Sequence, residues 1–186
     1  MSIIEQQTQN IINKIQEWGG QGEISIVYDS DYYPSSTENF IECVSHKSKL
    51  FFINFDEFNN IFGCYTNQPI TTLDKYEDTY DQNHFLFSIF SNGRIKKPTR
   101  YFTRDGRPGG IKIHSKKSDG FYGIGSNGMG HGCCNIASPG EKDSWCHYFS
   151  HTYAGISGNE ITGTVWKYPN FQRFIIHRIL VIQLYC

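Results

Sequence analysis

After Glu23, nearly every apolar stretch in this chain is only four to seven residues long and is bounded by turn-forming residues. Stretches this short suit strands, whereas a packed helix needs about ten residues or more of periodic pattern. The chain therefore reads as an antiparallel sheet protein, and a parallel sheet, which needs long crossover helices, is disfavoured. Strands are predicted at Ile24 to Tyr28, Leu50 to Phe55, Ile61 to Tyr65 and His84 to Phe90, with short ones near Tyr101, Ile111 to His114, Phe121 to Gly123 and Cys133 to Ala137. A last strand is predicted over Phe171 to Tyr185. With 14 Phe, 12 Tyr and 3 Trp against 6 Pro, there is enough aromatic surface to offset chain entropy, which excludes wholesale disorder.

Two helices interrupt this pattern. Ser2 followed by Glu5 is a capping-box pair; Ile4, Ile11, Ile15 and Trp18 then share one stripe at helical spacing before Gly19-Gly20 ends it. This predicts a helix over residues 3–18, part of an amphipathic segment 1–22 packed on a domain spanning 23–186. Ser35, Ser36 or Thr37 can cap a second helix, over residues 36–46, that turns Phe40, Ile41 and Val44 inward. The strands flanking Asp56-Glu57-Phe58-Asn59-Asn60 form a hairpin, and because they are apolar on both faces it lies inside the fold. Residues 67–83 form a polar loop whose carboxylates lack the alternation and turn glycine of a calcium loop.

Acidic and amide residues near Met1 do not resemble a targeting signal, and no run of 18 apolar residues occurs. The expectation is a cytoplasmic protein without a transmembrane segment, whose 6 cysteines stay free, with no structural metal and no disulfide. Gly123-x-Gly125-x-x-Gly128 satisfies a dinucleotide fingerprint in letters only, because Gly130 and Gly132 follow where the motif needs a helix. A turn between strands is expected there instead. His131, Cys133, Cys134, Cys146, His147 and His151 form a local group of soft ligands without a C-x-x-C pair. No serine elbow and no paired carboxylates mark a catalytic centre, so the chain reads as a non-enzyme without a cofactor, a Cys/His-dependent enzyme being the third option.

The net charge of -1 conceals a basic segment. Arg94, Lys96, Lys97, Arg100, Arg104, Arg107, Lys112, Lys116 and Lys117 place nine of the 17 basic residues within 24 positions, with Tyr101 and Phe102 interleaved. Cations beside aromatics suit phosphate neutralisation and base stacking, so these residues, Tyr101 included, are the candidate anion- or partner-binding site. The same pattern also occurs on a solvated loop and edge strand.

Several segments, in order, resemble the TLDc family of oxidation-resistance and nuclear-receptor-coactivator-like proteins. Ile26-Val27-Tyr28-Asp29-Ser30-Asp31 resembles its opening strand and turn, and Asn39-Phe40-Ile41-Glu42-Cys43 its first helix. Ile61-Phe62-Gly63-Cys64-Tyr65, running into Pro69, is similar to the family's F-G-x-[YF] strand, and His84-Phe85-Leu86-Phe87-Ser88-Ile89 to its F-L-F-[ST]-[IL] strand. Gly120 to Gly132 stands at its glycine-rich turn, and Ile161-Thr162-Gly163 with the strand that follows matches its ending. The chain departs from the family at Leu180 and Gln183, where acidic residues are common, and in its interrupted glycine run. The resemblance, over about residues 23–186, implies a sandwich of two antiparallel sheets with a few peripheral helices. It also implies a non-catalytic interaction module in stress resistance and, as partner, the peripheral sector of the vacuolar proton pump. The alternative is a nuclear, DNA-binding regulator of stress genes using residues 94–117.

Overall fold

Along Leu50–Asp56 the side chains alternate between two separate apolar clusters: Leu50 and Phe52 join one, Phe51 and Ile53 the other. A strand buried on both faces must lie in a middle layer, and this one does. The computed structural model describes residues 3–75, 81–105, 107, 109–125, 133–147, 149–156, 160–167 and 170–185. In chain order the elements are α1 (Ile3–Gly19), β1 (Glu23–Asp29), α2 (Thr37–Val44), β2 (Leu50–Asp56), β3 (Ile61–Thr66), β4 (Phe85–Phe90), β5 (Thr99–Phe102) and β6 (Ile111–Ile113). A turn of 3-10 helix, Lys117–Asp119, precedes β7 (Tyr122–Ile124), β8 (Cys134–Ile136), β9 (Trp145–Cys146), α3 (Phe149–Thr152), β10 (Trp166–Lys167), β11 (Asn170–Phe171) and β12 (Ile176–Tyr185).

Six strands form an antiparallel sheet in the order β1-β12-β2-β3-β4-β5, four form a second in the order β6-β7-β8-β9, and β10-β11 is a small ribbon. One face of the large sheet presents Phe52, Phe62, Leu86 and Val181 to Ile113, Tyr122, Ile124 and Ile136 of the small sheet. The other face presents Phe51, Ile53, Phe87 and Ile182 to Ile11 and Ile15 of α1. The sandwich that the family resemblance implies is the architecture observed, with α1 as a third layer. The stripe that predicts α1 packs as expected at Ile11, Ile15 and half-buried Trp18, and Gly20, at φ 106°, ends the helix. Ser2 and the side chains of Ile4 and Glu5 lie outside the described residues.

Helix α2 starts where the serine cluster allows it: the Ser36 hydroxyl accepts the Asn39 N–H at 3.2 Å. It seats Phe40 among Tyr28, Phe121 and Tyr122, with ring centroids 5.0, 4.8 and 5.7 Å away, so one buried ring joins the helix to both sheets. Burial of such a ring stabilises the fold by roughly 2–3 kcal/mol. At the β2–β3 turn, Asp56 accepts N–H bonds from Phe58 and Asn60 at 2.9 and 2.8 Å. Gly63, in the middle of β3, has no room for a side chain: a Cβ would stand 1.7 Å from the Phe52 carbonyl oxygen. The F-G-x-[YF] pattern thus marks a close strand approach.

The final strand is shorter than the predicted Phe171 to Tyr185. Residues Asn170–Phe171 pair with β10, Phe174 donates its N–H to Ser144 at 2.9 Å, and β12 begins only at Ile176. Two successive pairings on different partners break what reads as a single apolar run. The buried Asp29 carboxylate then receives both Nε and Nη2 of Arg178, at 2.9 and 2.6 Å, and Asp31 adds a second contact at 3.2 Å. This bidentate pair joins the end of β1 to β12 and explains the aspartates of the opening motif.

Candidate functional site

The basic segment does not stay together as one surface: β5 belongs to the large sheet and β6 to the small one. Arg94 donates through Nε to the Glu160 carbonyl at 3.0 Å and through Nη2 to the Ile161 carbonyl at 3.1 Å, and Nη2 also reaches the Asn60 side chain. Arg100 donates to the Trp18 carbonyl at 3.2 Å and lies over the rings of Phe85 and Phe102, 5.3 Å from each centroid, with Trp18 at 5.9 Å. Arg104 donates to the Ser150 carbonyl at 2.6 Å, and Lys117 pairs with Glu141 at 3.1 Å. Tyr101 is a core residue, 8% exposed, so it offers no stacking face, whereas Phe102 is half-exposed. Lys112 is partly buried on β6 opposite Gly123; Lys96, Lys97, Arg107 and Lys116 are exposed. Three of the arginines therefore direct donors to backbone carbonyls, although Arg94 and Arg104 remain exposed beside the lysines.

The expectation of six free thiols is corrected. Cys134 and Cys146 form a disulfide because β8 and β9 place them directly opposite, with Cα atoms 4.0 Å apart. A pair of sulfurs bonded to each other cannot serve as thiolate ligands, and this dismantles the soft-ligand group. His131 lies outside the described residues, and His147 packs its ring 4.4 Å from that of Trp145. Cys133 is buried 3.1 Å from the Thr152 hydroxyl, and burial pushes its thiol up to about 11. Burial also raises the Cys64 and Cys43 thiols above their ordinary range. Low-pKa nucleophiles need the opposite environment. The Gly123-x-Gly125-x-x-Gly128 stretch leaves β7 through Gly125, at φ 71°, and β8, the next strand in the chain, pairs antiparallel with β7; residues 126–132, where the turn is expected, lie outside those described.

Two histidines escape attention in the sequence. His84 is buried, its Nε2 is 2.7 Å from the Tyr153 hydroxyl, and burial pulls it down to about 4 despite nearby Asp81. His114 follows β6 and meets Asp74 and Asp119: one ligand atom from each of the three lies within 4.8 Å of the others. A parallel bridge between Leu73 and Ile113 delivers Asp74, whose N–H donates to the Ile113 carbonyl at 2.7 Å. The Ser115 hydroxyl and N–H, the latter at 3.1 Å, hold the Asp74 carboxyl below its ordinary value. Burial holds His114 below its ordinary value. The five-residue spacing of His114 and Asp119 was visible, but nothing local pointed to Asp74, 40 positions upstream.

Two antiparallel sheets face to face, with side chains that mostly serve the packing, define a β-sandwich scaffold. A family model described as the TLDc domain matches residues 1–135, well over half of the chain. The chain belongs to the TLDc domain family. The matched span takes in α1, which the resemblance over 23–186 had left aside, and ends within β8. A search of curated proteins finds no match. Among the described residues no helix is long and apolar enough to cross a membrane.

Proposed function

We propose that the chain is a non-catalytic interaction module with a TLDc-family role in oxidation resistance, working in the cytoplasm. The observation that carries this is the family match over residues 1–135. Consistent with a non-enzyme, the described thiols that a nucleophilic or redox centre would use are raised in pKa or already paired. The partner proposed is the peripheral sector of the vacuolar proton pump, docked in part through exposed Lys96 and Lys97. The DNA-binding alternative finds less support, since Arg94, Arg100 and Arg104 direct donors to backbone carbonyls.

Co-sedimentation of the purified chain with the purified peripheral sector tests this. Complex formation that the Lys96→Ala, Lys97→Ala double variant weakens is expected, with folding unchanged because exposed charges alter stability by no more than about 0.5 kcal/mol each. Arg100 is left intact because removing it would also release the Trp18 carbonyl and the ring stack. Absence of the complex, together with DNA binding whose log–log salt slope flattens by up to about 1.8 in the double variant, would replace this function with the DNA-binding one.

A further inference from the structure

We propose that Asp74, His114 and Asp119 form a binding site for a borderline divalent metal ion of the zinc type. The three come from separate segments: the loop after β3, the end of β6 and the 3-10 turn. Their ligand atoms nonetheless converge to within 4.8 Å of one another, close enough that a small side-chain adjustment brings all three onto one ion with bonds of about 2.0–2.2 Å. Convergence of two exposed carboxylates would not by itself indicate a metal. The independent observation is the imidazole between them.

His114 is only 7% exposed, and its two ring nitrogens are in different situations. Nε2 is 3.0 Å from Oδ1 of Asn135, an acceptor, so the proton sits on Nε2. That leaves a lone pair on Nδ1, which is buried and has no hydrogen-bond partner among the described residues. A buried polar atom without a partner costs about 1–3 kcal/mol, and structures seldom retain one without a ligand for it. A histidine that donates from one ring nitrogen to a side-chain oxygen and keeps a lone pair on the other is the arrangement that presents imidazole to a metal. Asn135, on β8, is thus the orienting residue, and the Ser115 bonds hold Asp74 in place.

The donor set decides the metal class. One neutral nitrogen and two carboxylates suit Zn²⁺ or its neighbours, whereas Ca²⁺ and Mg²⁺ require oxygen ligands in greater number. Three protein ligands leave a position for water or for a partner's side chain. Lys112 is the opposing influence: its charge acts on both Asp74 and His114, and it limits the affinity of a dication. The proposal does not depend on the partner proposed above.

The test is titration of the purified, disulfide-intact chain with Zn²⁺ by calorimetry, and with Co²⁺ as a spectroscopic probe. One ion per chain is expected, with weak cobalt d–d bands and no intense thiolate band. Asp74→Asn and Asp119→Asn, both at exposed positions, should each weaken Zn²⁺ binding at least about tenfold with an unchanged circular dichroism spectrum. Lys112→Gln, which removes no ligand, should tighten it severalfold. Absence of stoichiometric Zn²⁺ binding, an intense thiolate band, or undiminished affinity in both aspartate variants would overturn the proposal. Ca²⁺ binding as strong as Zn²⁺ binding would also overturn it.

Discussion

The two sheets do different work with different kinds of strand. The large sheet is built from strands of mostly six or seven residues and a ten-residue β12, and its central strands β2, β3 and β12 are apolar on both faces and buried between α1 and the small sheet. The small sheet has strands of two or three residues, yet it carries or borders the disulfide, His114 and the 3-10 turn. Long buried strands specify themselves by hydrophobic pattern; short ones need cross-links and side-chain bonds to hold their register. The large sheet is therefore the scaffold, and the small one is where chemistry is free to vary.

The sharpest challenge to this division lies at Gly63. Gly63→Ala forces a methyl group into the Phe52 carbonyl, in a place where only backbone could yield, so a loss above about 4 kcal/mol and failure to accumulate folded protein are expected. A near-normal urea midpoint for this variant would mean that the central strands can part, and that the large sheet is less rigid than its burial implies.

Second in size is a pH effect at the junction between the large sheet and α3, where His84 meets Tyr153. Folded His84 takes up a proton only near pH 4, whereas in the unfolded chain it does so near 6.5. Between those values the unfolded state binds more protons, so stability is lost as pH falls through this window, by roughly 3 kcal/mol at its lower end. Buried His114 acts in the same direction. Urea melts at pH 7 and pH 4 check this: His84→Gln should show a smaller pH difference than the parent, and an equal one would place the acid sensitivity elsewhere.

The smallest of the three concerns the small sheet alone. Cys134 and Cys146 close a loop with a sequence separation of 12, and their replacement together by alanine should cost about 2 kcal/mol. Hydrogen exchange should then rise in β8 and β9 while β2 and β3 keep their protection. Equal loosening of both sheets would show that they unfold as one unit and would erase the contrast drawn above.

The same contrast governs what could be read in advance. The hairpin of β2 and β3, the strand β4 and both longer helices were legible because each carries its own apolar pattern and its own boundary signal, such as Ser36 at the start of α2 or Gly20 at the end of α1. The disulfide was not, because a spacing of 12 residues says nothing about which strand residues end up opposite one another. Nor was the meeting of Asp74 with His114, which depends on a single parallel bridge at Leu73. Arg94 and Arg100 read as candidate anion-binding residues because a sequence shows charge and not the carbonyl that a guanidinium will find.

Strand β12 lies between β1 and β2, and its Arg178 meets an aspartate 149 positions earlier in the chain. A ribosome delivers it after every other strand of the two sheets. Until it emerges, β1 and β2 have no common neighbour and each presents an open, strongly apolar edge to the crowded surroundings. Closing the large sheet also demands the longest loop in the molecule, which makes that step slow relative to forming the β2–β3 hairpin. An open edge of this kind is what makes partly folded chains prone to aggregate, so the position of β12 ties the solubility of the nascent domain to the arrival of one strand.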